Sequence, residues 1–277
     1  MPFWLGMTIA MLYGAVVGSF LNVCIWRLPR EESLISPGSH CPKCDTLLKS
    51  RDLIPLFSFL IQRCKCRYCG APITWRYFGI ELLTSVYFGV VYWRFDWSVE
   101  SLVYALFGAA LIAISFIDLE HYIIPDQLNV FGILLGIGYN AYNIYTTHEW
   151  RTEILGRSIP IPSSIVGIIL CGGAFLAIAI ISYYVFKKEG MGGGDVKLAA
   201  AVGALLGTQA AMWSFMLAVF LGTIVGLGLM ASSKKGRRDY VPFGPFMVVG
   251  AFVMIFFGSQ IQHLWDMYLN WATGGLQ

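Results

Sequence analysis

The sequence predicts an all-α integral membrane protein of about eight transmembrane helices, interrupted by one small cysteine-bearing loop domain. Three observations carry this. The 277 residues are 57% hydrophobic and only 13% charged, with a mean hydropathy of +0.67, whereas soluble chains carry about a quarter charged residues. Apolar runs long enough to cross a bilayer recur along the chain without the alternation of a strand. Residues 27–76 break that pattern: they are polar and basic, and they hold two Cys-x-x-Cys pairs.

Taken in order, the expected spans are 3–26, 78–94, 100–117, 127–146, 163–186, 197–210, 212–231 and 243–265. In hydrocarbon every backbone N–H and C=O must be satisfied inside the segment, which makes these runs helices. Only a short break around Gly207, Thr208 and Gln209 separates the sixth from the seventh. The opening "MPFWLGMTIA" lacks a basic stretch and no small-residue cleavage site follows it, so the first span is expected to stay in the protein. The chain thus divides into a first span (1–26), a loop domain (27–76) and a multi-span domain (77–277).

Charge orients the spans, because loops on the cytoplasmic side collect Lys and Arg. With the N-terminus outside, loops 27–76, 118–126, 187–197 and 232–242 face the cytoplasm and hold sixteen of the nineteen basic residues. Only Arg94, Arg151 and Arg157 then fall outside. The run "KKGRRD" at 234–239 reads as a topology determinant near anionic lipid. Four basic residues between two spans do not make a nucleic-acid site. In this orientation Asp118 and Asp195 lie on one side of the membrane, as the third span ends and the sixth begins.

The loop domain carries "CPKC" (Cys41, Cys44) and "CRYC" (Cys66, Cys69), with 21 residues between the pairs. That spacing suits a four-thiolate zinc site, in which each pair forms a turn feeding one tetrahedral ion. Disulfides are the alternative, and they rarely persist in a reducing cytoplasm. A loop this small lacks core enough to fold alone, so a structural zinc would supply folding energy. Cys64 is a further thiol able to compete as a ligand, whereas Cys24 and Cys171 sit in apolar spans as packing residues.

Most acidic residues have ordinary readings. Glu31, Glu32, Asp45 and Asp52 belong to the loop, and Asp126 follows Pro125 where a helix N-cap is expected. Glu81 lies inside the second span, where an acid is costly and hence a functional candidate, with snorkelling to the interface as the alternative. Asp118 closes the apolar run "LIAISFID", and Asp195 follows four glycines in "GMGGGDVKL" (190–198). Glycine removes bulk and permits positive φ, so the backbone there is able to pass close to another chain; a flexible connector is the plainer reading. A phosphate loop is disfavoured, because the Gly-Lys-Ser/Thr ending is missing and no strand precedes it.

At these residues the chain resembles the bacterial type IV prepilin peptidases, membrane aspartic proteases of the GxGD class. The resemblance runs in order through "GAVVGSFLNVCIWRLP" (14–29), both cysteine pairs, "RYFGIELLT" (76–84), "IDLEHYIIPD" (117–126), "GMGGGDVKL" and "VPFGPF" (241–246). Cys24 replaces a common aliphatic and Cys64 a common glycine. The resemblance implies that Asp118 and Asp195 are the catalytic aspartates, with Gly192 and Gly194 as the motif glycines. It implies prepilin and pseudopilin substrates, a place in the bacterial inner membrane, and N-methylation of the new terminus with S-adenosylmethionine. Family members that keep the cysteine loop are usually bifunctional. Glu81 is the candidate for holding or deprotonating the incoming amine. A transporter would place its acids nearer the bilayer midplane, and a tethered zinc adaptor would leave the other motifs without purpose.

Overall fold

The computed structural model describes residues 2–148, 152–154, 157–187, 191–231 and 241–272. Gly190 and the basic run 234–239 lie outside the described residues. The helices are α1 (Phe3–Arg27), α2 (Phe57–Ile61), α3 (Trp75–Phe95), α4 (Val99–His121), α5 (Asp126–Thr147), α6 (Ser163–Gly167), α7 (Gly173–Phe186), α8 (Gly193–Ala231) and α9 (Gly244–Ala272). A π-helical turn at Ile168–Gly172 joins α6 to α7 without a break. Every expected span falls on helix. Between α5 and α6 the chain also forms an unexpected antiparallel pair of three-residue strands, β1 (Thr152–Ile154) and β2 (Arg157–Ile159).

Among the described residues, five helical stretches are long and apolar enough to cross a membrane: Phe3–Arg30, Val99–His121, Ser163–Val185, Gly193–Ala231 and Gly244–Ala272. The expected count of eight differs for two physical reasons. Arg76, Glu81 and Arg94 make α3 more polar, and Asn129, Asn140 and Asn143 do the same for α5. The sixth and seventh spans both lie in α8, and the break between them is Gly207 alone, with φ 75° and ψ 171°. Only glycine adopts that backbone conformation cheaply.

The chain forms two compact units, Met1–Ile117 and Asp118–Gln277, so the division falls within α4. In the first unit α1 packs along α3 through small residues, as helices in lipid do when van der Waals contact must replace hydrophobic driving force. Gly14 and Gly18 are four apart on α1. A Cβ at Gly14 would lie 2.7 Å from the Thr84 carbonyl oxygen, and one at Gly18 would lie 2.8 Å from the Glu81 Cα. The Ser85 hydroxyl donates to the Met11 carbonyl at 2.8 Å, and the Asn22 amide to the Tyr77 carbonyl at 3.1 Å.

In the second unit α8 is the central helix, packed against α5, α6 with its π turn, α7 and α9. Its N-terminal half is buried and built of Leu198, Ala199, Ala201 and Val202. Gly203 meets Gly167 of α6 backbone to backbone, with no room for a Cβ on either.

Valine at Gly14 or Gly18 should force α1 off α3. Overpacking of this kind costs about 1–3 kcal/mol, seen as a lower melting temperature of the detergent-solubilised protein. Gly79→Ala on α3 is the control: nothing lies within 4 Å of the added Cβ, so the helix should gain up to about 1 kcal/mol.

Candidate active site and metal centre

Asp118 and Asp195 come from separate helices of the second unit and are both buried, at 3% and 5% exposure. They are electrostatic neighbours. Asp118 lies in the last turn of α4, and its Oδ2 accepts the backbone N–H of Gly244 at 2.9 Å. Gly244 is the first residue of α9, so the positive end of that helix dipole faces the carboxylate. Any Cβ at Gly244 would lie 2.7 Å from the same Oδ2. The sequence showed "VPFGPF" as a motif without a role; this contact supplies one, and it was hidden because it joins residues 126 apart.

Asp195 is the third residue of α8. Its Oδ2 accepts the N–H of Gly192 at 3.2 Å, while its own N–H donates to the Gly192 carbonyl at 3.1 Å. This is the reciprocal half of a capping box, which fixes the carboxylate at the start of its own helix. Among the described glycines of this stretch only Gly194 is needed for space, and none has a positive φ. A Cβ at Gly194 would lie 2.8 Å from the Ile124 Cβ, whereas one at Gly192 would make only ordinary contact with Asp195 and one at Gly193 none.

Asn129 is a further residue at this place that the sequence did not single out. It is fully buried on α5, and its amide approaches the Gly194 carbonyl at 3.5 Å. Asparagine in a polar helix carries no sequence signal that distinguishes it from Asn140 or Asn143. Asp126 is not the N-cap that was expected. Pro125 occupies that position, α5 begins at Asp126, and the Asp126 carboxylate pairs with Lys197 of α8 at 2.6 Å. Lys197 therefore anchors α8 to α5 through an exposed ion pair (50% and 63% side-chain exposure).

In the first unit Glu81 is buried on α3. Its Oε2 accepts the N–H of Leu56 at 2.7 Å, and the Ser19 hydroxyl is a second partner. Leu56 has φ 63° and immediately precedes α2, so Glu81 ties the loop domain to α3 at a turn that an unaided leucine disfavours.

The loop domain brings Cys41, Cys44, Cys66 and Cys69 together, with all four thiols within 4.8 Å of one another. Cys41 Sγ and Cys69 Sγ are 3.9 Å apart. A tetrahedral ion with metal–sulfur bonds of about 2.3 Å needs sulfurs about 3.8 Å apart, so the donor set fits such an ion. Cys64 is not in the cluster. The two pairs are built alike. Cys41 and Cys66 donate to the Thr46 and Ala71 carbonyls, Asp45 and Gly70 donate back to Cys41 and Cys66, and bridges close each turn at His40–Leu47 and Lys65–Pro72. The Thr46 side chain and backbone beside Cys44 pull its thiol down to about 6, and the N–H groups of Cys69 and Tyr68 lower that of Cys66. The Ala71 N–H lowers the Cys69 thiol, but burial and its hydrogen bonds to the neighbouring cysteines push it the other way, up to about 11, so the first protons leave from Cys44 and Cys66.

Asp52 braces the second turn from outside. It accepts the Arg67 Nε–H and the Tyr68 hydroxyl, both at 2.8 Å, and the Lys49 N–H at 3.2 Å. Burial works against its ionisation, but the Tyr68, Lys49 and Arg67 hydrogen bonds outweigh it and hold the carboxyl below the usual range. The connecting loop is pinned by the buried Arg27, which donates to the Ser33 and Pro37 carbonyls at 2.8 and 2.6 Å.

The fold and these residues define a helical membrane protein with a buried aspartate pair and a four-thiol cluster that fits a metal ion. Residues 12–95 match the bacterial peptidase A24 N-terminal domain and residues 105–227 the type IV leader peptidase family. A prepilin leader peptidase/N-methyltransferase of Legionella pneumophila is 30% identical over 98% of this chain and 96% of its own. The enzyme of that name from Stutzerimonas stutzeri is 32% identical over 91% of each chain. That from Bacillus subtilis is 29% identical over 97% of this chain and all of its own. No solved structure matches. The chain belongs to the type IV leader peptidase family.

The fit of the four-thiol cluster to a metal ion gives a direct prediction. Cys41→Ser should lose the bound ion on elemental analysis and open the loop to protease, and Cys64→Ser should keep both metal and protection. Metal retained by Cys41→Ser at the wild-type ratio would contradict the ligand set.

Proposed function

We propose that the protein is a membrane aspartic endopeptidase that removes the short basic leader of type IV prepilins and pseudopilins and methylates the new N-terminus. The observation that carries the reading is the buried pair Asp118 and Asp195, each held by a backbone N–H at a helix start, in a chain of this family. The charge bias of the loops supports an inner-membrane orientation with the N-terminus outside and the thiol centre and aspartates on the cytoplasmic side. The four-thiolate set supports zinc in a structural role.

Peptide cleavage needs an activated water and a protonated leaving group. Two neighbouring carboxyls sharing one proton provide both. The ionised one takes a proton from water, whose oxygen bonds to the scissile carbonyl carbon, while the protonated one donates to the carbonyl oxygen. Collapse of that tetrahedral centre breaks the C–N bond. The proton taken from water goes to the leaving amine, and the carboxyl pair recovers its single proton. The two acids titrate as a unit, so neither is assigned as the permanent base. A helical substrate hides its carbonyls and must unwind to be attacked. Gly192 and Gly194 keep the backbone beside Asp195 slim, which suits that approach.

For the second reaction, S-adenosylmethionine supplies an activated methyl group when bound. The amine gains the methyl and loses a proton, and S-adenosylhomocysteine leaves. Glu81 is the residue we assign to that half, as an acceptor for the incoming ammonium that also holds Leu56 in place.

Asp118→Asn and Asp195→Asn should each lower leader removal by about 10²–10⁴-fold or more in proteins that still insert and bind metal. Asp126→Asn, which removes an exposed ion pair worth about 0–1 kcal/mol, should remain active. Cleavage followed by mass spectrometry of a purified prepilin decides this, and substantial turnover by Asp195→Asn would sink the aspartyl mechanism.

Glu81→Gln keeps an acceptor for the Leu56 N–H but removes the charge. Its product should be cut yet unmethylated, whereas Glu81→Ala should also loosen the loop to protease. Equal methylation by Glu81→Gln and wild type would remove Glu81 from the reaction.

A further inference from the structure

Two cavities in the first unit, of about 290 and 570 Å³, lie between the cysteine turns and the ends of α1 and α3. They share Trp26, His40, Pro42 and Tyr77 as lining residues. Small-molecule sites span about 300–1,000 Å³ and combine aromatic walls with a few fixed polar groups. We infer that this two-lobed cleft is where S-adenosylmethionine binds, an inference that rests on the methyl-transfer reading above.

One buried atom points to a ligand. Asn22 is 4% exposed and lines the larger cavity. Its Nδ2 donates to the Gly18 and Tyr77 carbonyls at 3.3 and 3.1 Å, which fixes the direction of the amide. Its Oδ1 is thereby committed as an acceptor, and it has no protein partner. A buried acceptor left alone is costly and calls for a donor. The cofactor offers several in its adenine amino group, ribose hydroxyls and ammonium.

The remaining walls suit the rest of such a molecule. Trp26 and Tyr77 provide aromatic surface, the usual partner of a nucleobase face. Trp26 is held from outside by Arg30, whose guanidinium carbon lies 3.8 Å from the ring centroid. Glu32 and Asp45 line the larger lobe, where they suit an ammonium and a cationic sulfur, and Lys43 lines the smaller one, where it suits a carboxylate. Cys41 and Cys66 line the smaller lobe, so a metal held by these thiols would also shape the wall of the cleft.

The test uses the full-length, metal-loaded protein in nanodiscs and two measurements. Calorimetric titration with S-adenosylhomocysteine should show binding, weakened about tenfold or more in Trp26→Ala and Asn22→Leu at unchanged metal content. Ultraviolet crosslinking of methyl-labelled S-adenosylmethionine to the wild-type protein, which needs no variant to fold, should label the segments containing Trp26 or Tyr77. Label confined to other segments, or variants that bind as wild type does, would overturn the location while leaving the methyl-transfer reading intact. No binding of either compound by the wild-type protein would overturn that reading itself. Equal displacement by ATP would show a general adenine-nucleotide site and overturn the assignment.

Discussion

The structure of the second unit depends on two backbone N–H groups. A helix start leaves its first N–H groups without partners, and a buried carboxylate needs donors. Gly244 with Asp118 and Gly192 with Asp195 satisfy both needs at once. The arrangement tolerates little. The end of α4 must bring Asp118 to the start of α9, and the start of α8 must clear the segment at Ile124 that follows α4. Gly244 and Gly194 are required there because a side chain would collide with the Asp118 carboxylate or with Ile124. The Gly203–Gly167 approach and the alanine-rich face of α8 allow the surrounding helices to close around that point.

The first unit solves a different problem. Residues 27–76 have little apolar core of their own, and their order comes from attachments. Four thiols converge from two turns of one design, Asp52 braces the second turn, Arg27 gathers the connecting loop, and Glu81 takes the Leu56 N–H. The last two are short-range polar contacts made to a helix pair already fixed by Gly14 and Gly18, whereas the first two lie within the loop. The loop is thus an extension of α1 and α3, and the four thiols are where its two halves meet.

Much of this was legible in the residues. Apolar runs located every long helix, because backbone satisfaction in lipid leaves no other choice, and the cysteine spacing identified the four-thiol cluster without Cys64. The span count was less legible, since α3 and α5 are helices too polar for composition alone to place in a membrane. Asp126 reads as a cap because an aspartate just before an apolar run is a favoured N-cap; here Pro125 takes the cap position and the carboxylate pairs with Lys197. Gly244 and Asn129 were hidden for another reason. Their roles rest on contacts with residues 126 and 65 positions away, and nothing local in the sequence encodes a partner at that distance.

Four acidic residues are buried among the described residues, Asp52, Glu81, Asp118 and Asp195, and each accepts a backbone N–H. What differs is the remaining company. Asp52 has an arginine and a tyrosine hydroxyl, so its charge is matched and its contribution is to structure. Glu81 has a serine hydroxyl and a loop to hold. Neither Asp118 nor Asp195 has an ion-pair partner among the described residues, and each has the other as a charged neighbour. A backbone N–H fixes a carboxylate in space without supplying a formal cation to match its charge. That missing cation is the physical ground on which the proposed hydrolysis is placed on this pair and not on the arginine-matched Asp52.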